Sequence, residues 1–113
     1  MRICMAGACG RMGRRILEMA VADGVEIGGA FDLPENAGAE IVAGAECGKP
    51  VRVLVGGDVS AELAKSDVLI DFTAPIPCVE NARTAAAAGV PVVIGATGLN
   101  EAQVAELDRK SVV

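Results

Sequence analysis

Arg2-Ile3-Cys4-Met5-Ala6-Gly7-Ala8-Cys9-Gly10-Arg11-Met12-Gly13 is the stretch whose reading decides the fold. Arg2–Ala6 is short and apolar after its first residue, as a buried strand should be. Gly7, Gly10 and Gly13 then punctuate the chain, and an amphipathic run begins at Arg11. A strand that turns tightly into a helix needs backbone angles that a Cβ obstructs. A phosphate can approach the chain closely only where no side chain intervenes. The start of the helix then presents unpaired N–H groups and a partial positive charge to such an anion. The spacing is G-x-x-G-x-x-G rather than the commoner G-x-G-x-x-G, so position carries much of the weight. The same residues also suit a plain strand-to-helix turn with no ligand.

Working outward, strand-like runs alternate with helix-length segments. Val25–Phe31, Val51–Val55, Asp67–Phe72 and Val90–Ile94 repeat the apolar signature of Arg2–Ala6. The last two lack apolar–polar alternation, which predicts strands covered on both faces. Arg11–Ala22 places Met12, Ile16 and Ala20 on one stripe, with Leu17 and Val21 beside it. A short helix is predicted at Val59–Lys65 and a longer one at Pro77–Ala88, closed by Gly89 as a C-terminal cap. Asn100 and Gln103 have capping-box spacing, and Val104 and Leu107 share the face of the helix that follows. Leu33–Pro50 has weak periodicity and reads as a loop with one helical turn. Such alternation predicts an α/β fold with a doubly wound, mostly parallel sheet of the Rossmann-like, dinucleotide-binding kind. Ser111-Val112-Val113 reads as the opening of a sixth strand, so residues 1–113 are expected to form the first domain of a longer protein.

Composition narrows the chemistry. The 113 residues are 52% hydrophobic and 22% charged, which supports a buried core and excludes wholesale disorder. Phe31 and Phe72 are the only aromatic residues, leaving no stacking platform for single-stranded nucleic acid. A net charge of −5 argues against a nucleic-acid partner. With no histidine, imidazole general bases and imidazole metal ligands are excluded within these residues, and no metal site is expected. The longest apolar stretch, Ala85–Ala96, contains Gly89 and Pro91 and falls short of the roughly 20 residues of a membrane span. The N-terminus lacks the pattern of a signal peptide. Cys4, Cys9, Cys47 and Cys78 have no paired spacing and read as small buried hydrophobes in a reducing, cytoplasmic setting.

A carboxylate lies where a dinucleotide needs one. Asp32 closes the second strand about 20 residues after the glycine turn, where it can accept hydrogen bonds from both hydroxyls of an adenosine ribose. Its charge would repel the 2′-phosphate of NADP, and Leu33, Pro34 and Glu35 offer no adjacent cation. NADH is therefore expected ahead of NADPH, although Arg11 could reach that phosphate. Asp32 also suits a simple turn before Pro34. Two more loops lie at carboxyl ends of strands, where open α/β sheets bind ligands: Asp71-Phe72-Thr73 and Gly95-Ala96-Thr97-Gly98. Thr73 equally suits a helix N-cap ahead of Pro75. Arg14 and Arg15 read as solvated charges, and Asp67 lies at the wrong end of its strand for a cofactor.

Together, Ile3–Gly13 with its Ala6–Gly13 core, Val68-Leu69-Ile70-Asp71-Phe72-Thr73 and Val93-Ile94-Gly95-Ala96-Thr97-Gly98-Leu99 resemble the 4-hydroxy-tetrahydrodipicolinate reductase (dihydrodipicolinate reductase) family. The motifs stand in that family's order and spacing, and the likeness covers essentially the whole chain. The resemblance implies the N-terminal domain of a two-domain, tetrameric enzyme of the diaminopimelate route to lysine. That enzyme transfers hydride from NADH or NADPH to a cyclic dicarboxylate with loss of water. Carried over, Gly7, Ala8, Cys9, Gly10, Arg11 and Met12 would hold the pyrophosphate and Asp32 the ribose. Gly95, Ala96 and Thr97 would border the nicotinamide, with Phe72 and Thr73 lining the cleft. Two positions depart from the family pattern. Ala96 stands where the family loop usually has Thr, removing one hydroxyl, and Leu33 stands where some members carry Arg. The family's proton donors and dicarboxylate ligands belong to its second domain, so no catalytic residue is expected here and the 113-residue chain alone is expected to be inactive. The competing readings are the cofactor domain of another NAD-dependent dehydrogenase and a non-catalytic nucleotide- or CoA-binding module.

Overall fold

In the computed structural model, residues 1–95 and 100–108 are described. Strand β1 (Arg2–Ala6) leads through the glycine turn into helix α1 (Arg11–Ala22), and β2 (Glu26–Phe31) follows. A 3₁₀ turn at Pro34–Asn36 precedes β3 (Glu40–Ala43) and β4 (Val51–Leu54). Helix α2 (Val59–Ala64), β5 (Val68–Asp71), α3 (Pro75–Ala87), β6 (Val92–Ile94) and α4 (Glu101–Asp108) complete the order. Four strands form a parallel sheet in the order β2-β1-β5-β6.

The sheet is covered on both faces, which makes it doubly wound. Met5 points to one side and packs with Leu17 and Val21 of α1 and with Ile41 and Val53. Cys4 and Ala6 point to the other, against Leu63 of α2 and Ala85 of α3. That alternation along a single strand is the two-residue period of a pleated chain serving two cores. The expected α/β architecture and parallel sheet are therefore present.

Several details differ from the sequence reading. Leu33–Pro50 contains the expected helical turn but also β3, which pairs antiparallel with β4. The segment at Val51 is thus not a member of the parallel sheet; it belongs to a two-stranded ribbon that packs on α1. Ile41 and Val53 of the ribbon pack with Met5 and Ala30 of the sheet, and just beyond β4 Gly56 forms a parallel bridge with Phe31. Helix α3 begins at Pro75, two residues before the expected start, with Ala74 rather than Thr73 at its N-cap. The buried face of α1 is Gly13, Leu17, Ala20 and Val21, while Met12 is exposed and Ile16 half-buried. The stripe is rotated because Gly13 lets the helix approach β1 more closely than a side chain would. Gly89 has φ +72° and closes α3 as expected. The capping box is also present. Asn100 N donates to Gln103 Oε1 at 2.9 Å, and Gln103 N donates to Asn100 Oδ1 at 2.8 Å. Val104 on that helix is exposed.

β2 is an edge strand whose outer hydrogen-bonding groups are occupied at Ala30. Gly56 N donates to Ala30 O at 2.8 Å, and Ala30 N donates to the buried Glu62 at 3.3 Å. Covering an edge in this way removes a template for intermolecular pairing. It also fixes the Gly56-Gly57 turn beside the carboxyl end of β2.

Candidate functional site at the carboxyl ends of the strands

A cleft of about 520 Å³ opens at the carboxyl ends of β1, β2 and β5. Its walls include Gly7 and Gly10 from the first turn, Asp32 and Leu33 after β2, and Phe72 and Thr73 after β5. Gly56, Gly57, Pro77, Glu80 and Asn81 also line it, and the sequence alone does not single them out. The glycine pair after β4 was the one local signal for them. Pro77, Glu80 and Asn81 reach the cleft only because α3 starts beside it.

The glycine turn is built as the spacing requires. Gly7 has φ +80°, a conformation that L side chains rarely adopt, and a Cβ there would also stand 3.3 Å from Phe72 O. At Gly13 a Cβ would fall 2.1 Å from Gly7 O, so this glycine permits the close packing of α1 on the turn. Gly10 is exposed at the N-cap and faces the cleft.

Four N–H groups of the turn are already engaged. Gly7 N and Ala8 N donate to Phe31 O, Gly10 N to Gly7 O, and Cys9 N to Asp32 Oδ2 at 2.8 Å. Within α1 the first closed bond is Arg14 N to Gly10 O, and no side chain caps the helix. The N–H groups of Arg11, Met12 and Gly13 are therefore the donors this helix end offers among the described residues. Arg11 and Met12 are exposed, Ala8 is buried and Cys9 is half-buried.

Asp32 does more than the sequence reading gave it. Besides Cys9, it accepts from Leu33 N at 2.7 Å and from Asn36 Nδ2 at 3.0 Å, both on Oδ1. The carboxylate thus ties the glycine turn to the end of β2 while still lining the cleft. A charge that accepts three N–H bonds is well held in a partly buried place.

On the opposite wall, Asp71 is fully buried at the end of β5. It accepts from Thr73 N, from the Thr73 hydroxyl and, through Oδ2, from Asn81 Nδ2 at 3.0 Å. Gly95 packs against Phe72, since a Cβ there would lie 2.3 Å from the ring. Ala96 and Thr97 lie outside the described residues. Asp67 sits at the far end of the sheet, paired with Arg2, whose N–H donates to it at 2.8 Å. That pairing holds the Asp67 carboxyl below the usual carboxylate range. Arg14 and Arg15 are exposed, with Arg14 Nε donating to Cys9 O at 3.1 Å.

Of the four cysteines, Cys4 and Cys78 are the buried hydrophobes expected, while Cys9 is half-buried and Cys47 exposed. Burial pushes the Cys4 thiol up to about 12 and the Cys78 thiol up to about 11; nearby Asp71 adds to the second. Burial, with Asp32 close by, also raises Cys9.

Over residues 1–112 the chain matches the profile of the family described as dihydrodipicolinate reductase, N-terminus. It belongs to that family. A 4-hydroxy-tetrahydrodipicolinate reductase from Cupriavidus necator is 42% identical over 108 residues, covering 95% of this chain and 41% of the relative. One from Alkalilimnicola ehrlichii is 43% identical, again over 95% of this chain and 41% of the relative. The chain thus spans about two fifths of the length of these reductases. Solved structures agree on the fold. A UDP-N-acetylglucosamine 3-dehydrogenase from Acidithiobacillus ferrooxidans superposes with a TM-score of 0.65 at 23% identity, over 97% of this chain and 35% of the other. Aspartate semialdehyde dehydrogenase II from Vibrio cholerae gives 0.67 at 20% identity, over 96% and 35%. Membership of the dihydrodipicolinate reductase N-terminal family accounts for a parallel sheet whose strands end at a glycine-walled cleft. No helix among the described residues is long and apolar enough to cross a membrane.

Proposed function

We propose that the cleft binds a nicotinamide dinucleotide, NADH ahead of NADPH, for a reductase acting on 4-hydroxy-tetrahydrodipicolinate. The observation that carries this reading is the glycine turn at the start of α1 with Asp32 on the adjoining wall. Arg11, Met12 and Gly13 N–H groups would meet the pyrophosphate, helped by the partial positive charge of a 12-residue helix. Gly7 and Gly10 keep Cβ atoms out of its way. The remaining acceptor capacity of Asp32 would take the adenosine ribose hydroxyls, and its charge would oppose a 2′-phosphate. Phe72, Thr73 and the Gly95–Thr97 loop would border the nicotinamide end. When bound, the reduced nicotinamide supplies a hydride.

The residues of this chain would position that donor, and the proton donor to the substrate is expected outside them. The substrate dicarboxylate would be held by the remainder of the full-length protein, as would any tetramer. Orientation of donor and acceptor contributes on the order of 7–11 kcal/mol in favourable cases, so the 113-residue chain is expected to bind cofactor without turnover.

Titrating the chain with NADH and NADPH tests the reading, by heat or nicotinamide fluorescence. Saturable NADH binding, tighter than NADPH and weakened by Asp32→Ala, is the expected result. Failure of both nucleotides to bind at millimolar concentration would overturn it. Tighter binding of CoA than of NADH, unaffected at Asp32, would point instead to a CoA-binding module.

A further inference from the structure

We infer that Asp71 is a positioning residue that makes the Thr73 hydroxyl an obligate hydrogen-bond acceptor toward the cleft. The inference rests on the dinucleotide reading and deepens it. Asp71 is fully buried, and its two oxygens receive three donors from the cleft wall. Thr73 N donates to Oδ1 at 2.8 Å and Asn81 Nδ2 donates to Oδ2 at 3.0 Å. The Thr73 hydroxyl is the donor in its 2.5 Å contact with Oδ1. A second acceptor, Ala74 O at 3.4 Å, is too distant to compete. The single hydroxyl hydrogen is therefore committed to Asp71, and only the lone pairs of Oγ1 remain for a ligand.

Thr73 and Asn81 both line the cleft, so the buried carboxylate reaches the ligand only through them. The ligand group that meets Thr73 must then be a donor. On a nicotinamide dinucleotide that chemistry has two sources, the carboxamide amino group and a ribose hydroxyl. A carboxylate in place of the carboxamide offers no hydrogen and meets an acceptor facing it, which site-built polarity rejects strongly.

The test measures binding of NADH, reduced nicotinic acid adenine dinucleotide and ADP-ribose to the full chain and to variants at both positions. Thr73→Val is expected to weaken NADH roughly five- to tenfold, the loss of one hydrogen bond, while Thr73→Ser stays near wild type. If the carboxamide is the donor, the wild type discriminates against the acid analogue, Thr73→Val loses that discrimination, and ADP-ribose is unaffected. If a ribose hydroxyl is the donor, Thr73→Val weakens ADP-ribose in the same proportion as NADH. Asp71→Asn keeps an acceptor for the hydroxyl and is expected within about twofold of wild type, since Asn81 can reverse its amide. Asp71→Leu removes the acceptor that holds the hydroxyl, and adding Thr73→Val to it should cost less than Thr73→Val costs in the wild type. Should Asp71→Leu fail to fold, the analogue comparison in wild type and Thr73→Val decides. Unchanged NADH binding in Thr73→Val, or additive effects of Asp71→Leu and Thr73→Val, would overturn the inference. Absence of all dinucleotide binding by wild type would instead overturn the reading on which it rests.

Discussion

Gly13 and Gly24 make opposite demands on the same residue type. Gly24 has φ +77° with open space around it, so alanine there meets only backbone strain, about 1 kcal/mol. Gly13 has ordinary helical angles, but a Cβ would fall 2.1 Å from Gly7 O. Backbone cannot move aside as a flexible side chain would, so Gly13→Ala is expected to cost about 3 kcal/mol even after the helix-propensity gain. Urea unfolding of the two variants checks the order, and a smaller loss at Gly13 would contradict it. The thiols make a second case. The Cys4 thiol titrates near 12 when folded against an ordinary value of 9.0. Above pH 9 the unfolded chain sheds a proton that the folded chain keeps. Stability is thus intact below pH 9 and falls as pH rises toward 12, by about 1.4 kcal/mol per pH unit from this thiol. Cys78 acts in the same direction. Chemical unfolding between pH 8 and 11 should show this decline, and Cys4→Ala should flatten it. Cys47, being exposed, should react with a thiol reagent in the folded state, while Cys4 and Cys78 wait for unfolding.

At the scale of elements, what was legible in the sequence followed from signals longer than one turn. β1, α1 and β5 were readable because burial imposes a continuous apolar run on the two strands and a helical period on α1. β3 was not: four residues between Gly38 and Gly44, alternating exposed and buried, resemble a loop. Its strand character comes from pairing with β4 and from packing of Ile41 and Ala43 under α1, which are tertiary facts. The site divides in the same way. Gly7, Asp32 and Phe72 sit at strand ends and could be placed from position. Asn81 and Glu80 could not, because a helical residue reaches the cleft only through the angle at which α3 leaves Ala74. The multiple duties of Asp32 were hidden for a related reason, since its bond to Cys9 joins positions 23 residues apart. The Asn100–Gln103 capping box, by contrast, is local chemistry and was read directly. Asn100→Ala is expected to cost about 1 kcal/mol of helix stability. Since α4 is peripheral, the loss should appear as faster amide exchange within Glu101–Asp108, with little change in the unfolding midpoint of the rest. A large drop in that midpoint would show α4 to be more tightly coupled than its exposed Val104 implies.

At the scale of the whole molecule, a large core lies on each face of the sheet, and the cleft opens at the carboxyl ends of the strands between them. One core joins α1 to the β3–β4 ribbon, and the other joins α2 and α3 to β1, β5 and β6. The cleft walls come from both: Gly7 and Gly10 lead into α1, Gly57 and Thr73 precede α2 and α3, and Asn81 stands on α3. A ligand that contacts both sides of this seam binds the folded chain and cannot bind the unfolded one. At a concentration one hundred times its dissociation constant it adds about 2.7 kcal/mol to stability. For a domain of this size that corresponds to roughly 10 °C in Tm. NADH is expected to produce such a shift, and NADPH at equal concentration a smaller one. Asp32→Ala should lower the ligand-free Tm, because Cys9 N, Leu33 N and Asn36 Nδ2 lose their acceptor. It should also shrink the NADH-induced shift, because the same carboxylate faces the cleft. The two effects are separable by Asn36→Ala, which removes one donor to Asp32 and leaves the carboxylate in place. That variant is expected to lose a fraction of the stability and keep most of the ligand shift. If Asn36→Ala and Asp32→Ala diminish the shift equally, Asp32 acts on the ligand only by holding the turn, and the ribose contact assigned to it is wrong.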